Sequence, residues 1–69
     1  MPEKHFIRFL RRSETQFAVL GIRRGNLLGT VAFYRPWKQW VFEAEPDTIW
    51  SSGCLRDVIE FMDGLEKRG

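Results

Sequence analysis

Sixty-nine residues and 8.2 kDa make room for one small domain, and 43% hydrophobic with 29% charged residues is a globular rather than a disordered composition. A single cysteine, Cys54, excludes an intrachain disulfide framework and a cysteine-rich zinc site. No apolar run nears the roughly 18 residues of a membrane span, and Met1-Pro2-Glu3-Lys4-His5 lacks the apolar stretch of a signal peptide, so a cytoplasmic location is expected. The net charge of +2 hides a strong polarity: residues 1–40 carry eight Lys and Arg against two Glu, whereas residues 41–69 carry three against seven acids. The first half is therefore expected to face an acidic partner, a nucleic acid or another protein; otherwise the two halves attract each other or are both solvated.

In chain order, Phe6-Ile7-Arg8-Phe9-Leu10 is a short apolar run rich in strand formers, broken at Ser13-Glu14-Thr15. Phe17-Ala18-Val19-Leu20-Gly21-Ile22 is a second run, followed by the turn signal Arg23-Arg24-Gly25-Asn26. Gly29-Thr30-Val31-Ala32-Phe33-Tyr34-Arg35 is a third run. Pro36 stops it because proline has no N–H for a ladder, and Trp37-Lys38 leads into Gln39-Trp40-Val41-Phe42-Glu43. Glu45-Pro46-Asp47-Thr48 reads as a turn with proline at its second position. The period then changes from 2 to 3.6: Leu55, Val58, Ile59, Met62 and Leu65 recur at helical spacing, Cys54 and Phe61 widen that stripe, and Ser51 or Ser52 can cap it. The expectation is an α+β domain, a three- to four-stranded antiparallel meander over about residues 5–11, 17–23, 28–35 and 39–43. One amphipathic helix over about 52–67 packs on one face. A single helix covers a single face, so the other is open or covered by a partner.

Catalytic residue types are scarce. His5 is the lone histidine and sits near the terminus. Ser51 and Ser52 suit capping, Glu43, Glu45 and Asp47 lack a calcium-loop pattern, and Gly21, Gly25 and Gly29 precede no helix that could cradle a phosphate. Cys54 lies in the first helical turn but on the apolar stripe, which makes it a small packing residue. No enzyme, cofactor or metal is expected. The informative cluster is Tyr34, Arg35, Trp37, Lys38 and Trp40 around the third turn, with Arg23 and Arg24 assisting. Tyr, Trp and Arg are the types enriched in binding hot spots, and they also stack on unpaired bases. Alternation puts Val31, Phe33 and Arg35 on one sheet face and Thr30, Ala32 and Tyr34 on the other, so both faces receive a ring. The rings either form a binding surface or pack over a sheet edge and under the loop of residues 44–50.

From Gly29 to Leu65 the chain resembles a family of short phage- and prophage-encoded accessory proteins. The likeness is carried by Gly29-Thr30-Val31, Tyr34-Arg35-Pro36-Trp37-Lys38-Gln39-Trp40, Thr48-Ile49-Trp50-Ser51 and Cys54-Leu55-Arg56-Asp57-Val58-Ile59-Glu60-Phe61. It covers about half the chain, and most of the matched residues are core and turn. It implies a counter-defence role in the host cell, such as inhibition of a CRISPR effector complex. Glu45-Pro46 with Leu55, Ile59 and Phe61 also resembles the strand-to-helix passage of chromodomains, at a different spacing. That likeness implies a methyl-lysine cage of Tyr34, Trp37 and Trp40.

The expected function is therefore a non-enzymatic interaction protein that occludes a host protein or ribonucleoprotein, with no membrane partner. The alternative is a small nucleic-acid-binding protein using Arg8, Arg11, Arg12, Arg23, Arg24, Arg35 and Lys38 on phosphates. A homodimer that buries the uncovered face or pairs an edge strand is a further possibility.

Overall fold

Apolar residues at period two, punctuated by short polar turns, build hairpins before anything else, and a computed structural model, which describes residues 6–68, shows three in succession. The strands are β1 (Ile7–Ser13), β2 (Gln16–Gly21), β3 (Leu27–Tyr34) and β4 (Gln39–Ala44), followed by the helix α1 (Ser52–Arg68). The sheet order is β1-β2-β3-β4 and every pairing is antiparallel, so the expected meander is present in its four-stranded form. No helix among the described residues is long and apolar enough to cross a membrane. Lys4 and His5, the latter the first residue of the expected first strand, lie outside the described residues, as does Gly69.

Local chemistry explains each turn. Glu14-Thr15 is tighter than expected, and β1 continues to Ser13, opposite Gln16. β2 ends at Gly21, two residues early, because Gly21 closes the next turn with its own backbone. Its N–H donates to Asn26 O at 2.9 Å and its carbonyl accepts from Gly25 N–H at 2.8 Å. Gly25 has φ 67°, a left-handed conformation that glycine adopts without a Cβ penalty. Pro46 precedes Asp47 at φ 64°, and Thr48 Oγ1 donates back to Glu45 O at 2.7 Å. Of the two candidate caps, Ser51 is the one used: Cys54 N–H donates to its Oγ at 3.1 Å.

The core lies between the sheet and α1. Ile7, Val19, Val31 and Val58 are buried, and Phe9, Phe17, Leu28, Trp40, Phe42, Trp50, Cys54, Phe61, Met62 and Leu65 pack around them. Leu28 joins because β3 is irregular there: Val19 pairs with Gly29 but Leu20 pairs with Leu27, which leaves Leu28 as a bulge turned inward. Leu55 and Ile59, expected on the buried stripe, are 41% and 57% exposed. Residues 54, 58, 61, 62 and 65 subtend a narrow arc that already fills the contact with the sheet. Leu55 and Ile59 lie further round at 100° per residue, on its flank.

Gly64 is exposed in mid-helix, and a Cβ there would meet nothing within 4 Å. Gly64→Ala is expected to stabilise the domain by roughly 0.5–1 kcal/mol and raise Tm by several degrees in a thermal melt. A lower Tm would show that the glycine serves something other than the helix.

Candidate docking surface

The two faces of the sheet differ sharply. On the helix side, rings run in contact across the core. Phe9 stacks on Phe61 at 3.9 Å, Phe61 meets Phe17 edge-to-face at 4.9 Å, and Trp40 lies 6.0 Å from Phe17 and 5.6 Å from Phe33. The opposite face has no helix over it. Register puts Leu10, Ala18, Thr30 and Glu43 in one row across it, with Gln16, Ala32 and Val41 in the next. Arg12, Gln16, Ala18, Leu27 and Thr30 line a shallow hollow of about 220 Å³ there. Ala18 is its floor, 2% exposed although nothing covers it, because taller neighbours on three strands shade its one methyl group.

The β3–β4 turn rises at one end of this open face. Tyr34 pairs with Gln39, so the loop is the four residues Arg35-Pro36-Trp37-Lys38. Trp37 N–H donates to Tyr34 O at 3.2 Å and Lys38 N–H to Arg35 O at 3.0 Å. Lys38, at φ 53°, supplies the left-handed residue that closes such a loop. Tyr34 and Trp37 pack edge-to-face at 5.1 Å and 86°, yet they remain 43% and 66% exposed. Tyr34, Trp37, Val41, Phe42 and Glu43 line a second depression, of about 310 Å³.

Of the residues singled out from sequence, Tyr34, Arg35, Trp37 and Lys38 come together in one exposed turn. Trp40 does not join them. Four loop residues set the phase of β4 so that Trp40 points to the helix side, half-buried against Phe17 and Phe33. The three-ring methyl-lysine cage is thus not formed. Trp50, two residues before α1, packs against the core from the loop: it meets Phe42 edge-to-face at 4.9 Å, and its Nε1–H donates to Thr48 Oγ1 at 2.9 Å. Arg23 and Arg24 are exposed in the β2–β3 turn, at the other end of the strands from Trp37, roughly 25 Å away at strand rise. The residues that sequence reading passed over are Leu10, Ala18, Leu27 and Val41. The signal for Leu10 and Ala18 was available, since each alternates with core residues along its strand.

Among the described residues, no group of three or more His, Cys, Asp or Glu is arranged to hold a metal ion. Cys54 is half-buried on the core side of α1. No protein-family model matches the chain, and no curated protein or solved structure matches it.

Proposed function

We propose that this chain is a non-enzymatic interaction protein that docks on a partner protein through its open sheet face and the β3–β4 turn. The observation that carries the reading is the uncovered face itself. One helix covers one side, while Leu10, Leu27 and Tyr34 stand 46%, 41% and 43% exposed on or beside the other. Four strands at about 4.8 Å spacing and about 20 Å of ladder give a footprint near 400 Å², about half of what each partner contributes to a standard interface. The turn has to supply much of the rest, which brings Trp37 into the contact.

A protein partner fits better than a nucleic acid. Sheets that bind unpaired bases offer rings on their strands for stacking. Here the outward positions along the strands hold Leu10, Ala18, Thr30, Ala32 and Val41, which contribute apolar area but no π-face, and the one outward strand ring, Tyr34, sits at the end of β3 packed against Trp37. Arg12, Arg35 and Lys38 at the rim add steering toward an acidic surface. The family resemblance extends the reading to a phage accessory protein that occludes a working surface of a host protein or ribonucleoprotein, a CRISPR effector complex among them.

Trp37→Ala and Leu10→Glu alter exposed residues and are expected to keep the wild-type circular dichroism spectrum. In a cross-linked pull-down from bacterial lysate, each is expected to reduce capture of the wild-type partner at least about tenfold, as loss of an anchor side chain does. Retention of every partner by both folded variants would sink the proposal. Tight, steeply salt-dependent binding to oligonucleotides would replace it with the nucleic-acid reading.

A further inference from the structure

A meander leaves two free edges, and this one treats them differently. The peptide groups that face outward follow from register. On β4, Trp40 N–H points away from β3 and donates to the Glu66 carboxylate at 3.2 Å, so α1 meets that edge at Trp40. On β1, Ile22 N–H donates to Phe6 O at 3.0 Å, which makes Arg8–Leu20 and Leu10–Ala18 the hydrogen-bonded pairs. The peptide groups of Ile7, Phe9 and Arg11 therefore face outward, and among the described residues their N–H groups donate to no other element. The pairing is regular from Ile7 to Arg11 and breaks only at Arg12.

This open edge is strongly cationic. The β1–β2 hairpin carries Arg8, Arg11 and Arg12 against Glu14 alone. Arg8 is on the open face, and the bulged Arg12 lines the hollow there. Arg11 is on the helix side, its Nε–H donating to Ser13 O at 3.2 Å. A second copy of β1 would bring the same three arginines against these, and like charges across a ladder destabilise it.

We propose that the β1 edge binds an extended acidic segment of a partner protein as a fifth, antiparallel strand. The edge borders the docking face above and shares Arg8, Leu10 and Arg12 with it, but its pairing groups are backbone groups that the face contact does not use. Backbone groups of Ile7, Phe9 and Arg11 supply the pairing and the arginines supply the selectivity. Read from its N-terminus, the incoming strand lies opposite Arg12, Arg11, Leu10, Phe9, Arg8 and Ile7 in turn. Its matching pattern is acidic, acidic, apolar, apolar, acidic, apolar.

The test is titration of the full ¹⁵N-labelled chain with the capped hexapeptide Glu-Glu-Leu-Val-Glu-Val. Saturable shifts and slowed hydrogen exchange are expected at the Ile7, Phe9 and Arg11 amides. N-methylation of the second, fourth and sixth residues, whose N–H groups face β1, should weaken binding at least about tenfold. N-methylation of the first, third and fifth should change it less than about twofold. The Lys-Lys-Leu-Val-Lys-Val peptide should not bind, and salt raised from about 20 to 500 mM should weaken the acidic peptide several-fold. Equal effects of the two methylation patterns, or equal binding of the lysine peptide, would overturn the proposal. So would protection of the same amides by dimerisation in the absence of peptide, seen by sedimentation. Because these probes are peptides and the protein is unaltered, their failure leaves the Trp37→Ala and Leu10→Glu result standing on its own.

Discussion

Phe61→Ala is expected to cost about 3 kcal/mol, the low end of the range for truncating a core phenylalanine, because the ring is half-buried. Phe61 is the one helix ring that touches the sheet's rings, stacked on Phe9 at 3.9 Å and edge-on to Phe17 at 4.9 Å. Its loss removes both aromatic contacts and opens a cavity between α1 and the β1–β2 hairpin. A domain of this length has roughly 3–10 kcal/mol in total, so the variant should lose about a third or more of its stability and its denaturation midpoint should fall sharply. Urea denaturation followed by tryptophan fluorescence reads this directly. A midpoint close to wild type would mean that α1 does not pack on the sheet through this ring.

The second large effect is expected at Gly29, where the intrinsic preference of a strand points the wrong way. Valine is the better strand former, yet Gly29→Val should destabilise by about 3 kcal/mol, the upper end for overpacking. A Cβ at this position would sit 2.7 Å from the Glu43 backbone oxygen and 2.7 Å from the Phe42 ring. Neither neighbour can withdraw: Glu43 is paired in the ladder with Thr30, and the Phe42 ring is backed by Trp50. Thermal melts of Gly29→Val and Gly64→Ala should therefore move in opposite directions. An unchanged melt for Gly29→Val would show that β4 is free to shift outward.

Much of the architecture was legible because it rests on short-range rules. Alternation in Phe17–Gly21 and Gly29–Tyr34, the Gly25-Asn26 turn and the stop at Pro36 are properties of a few adjacent residues, and each stands where sequence reading put it to within about two residues. The candidate surface was legible only in part. Tyr34 and Trp37 were found because exposed aromatics beside a proline turn are recognisable locally. Trp40 was grouped with them because the phase of β4 depends on which residue of β3 pairs with Gln39, and that is Tyr34, one residue before the expected end of the strand. Arg23 and Arg24 were grouped with them on charge alone, although consecutive turns of an antiparallel meander fall at opposite ends of the sheet.

By itself the sequence determined the kinds and order of the elements, four strands and one helix, and with them the surplus of one sheet face over available cover. Those are consequences of hydrophobic period and of how many elements the length allows. Only the tertiary structure decided which face α1 takes, that Leu55 and Ile59 fall outside the contact, and that one edge is met by Glu66 while the other is bordered by arginines. These depend on how the volumes of Phe9, Phe17, Trp40 and Phe61 fit together across strands far apart in sequence, which no local pattern encodes.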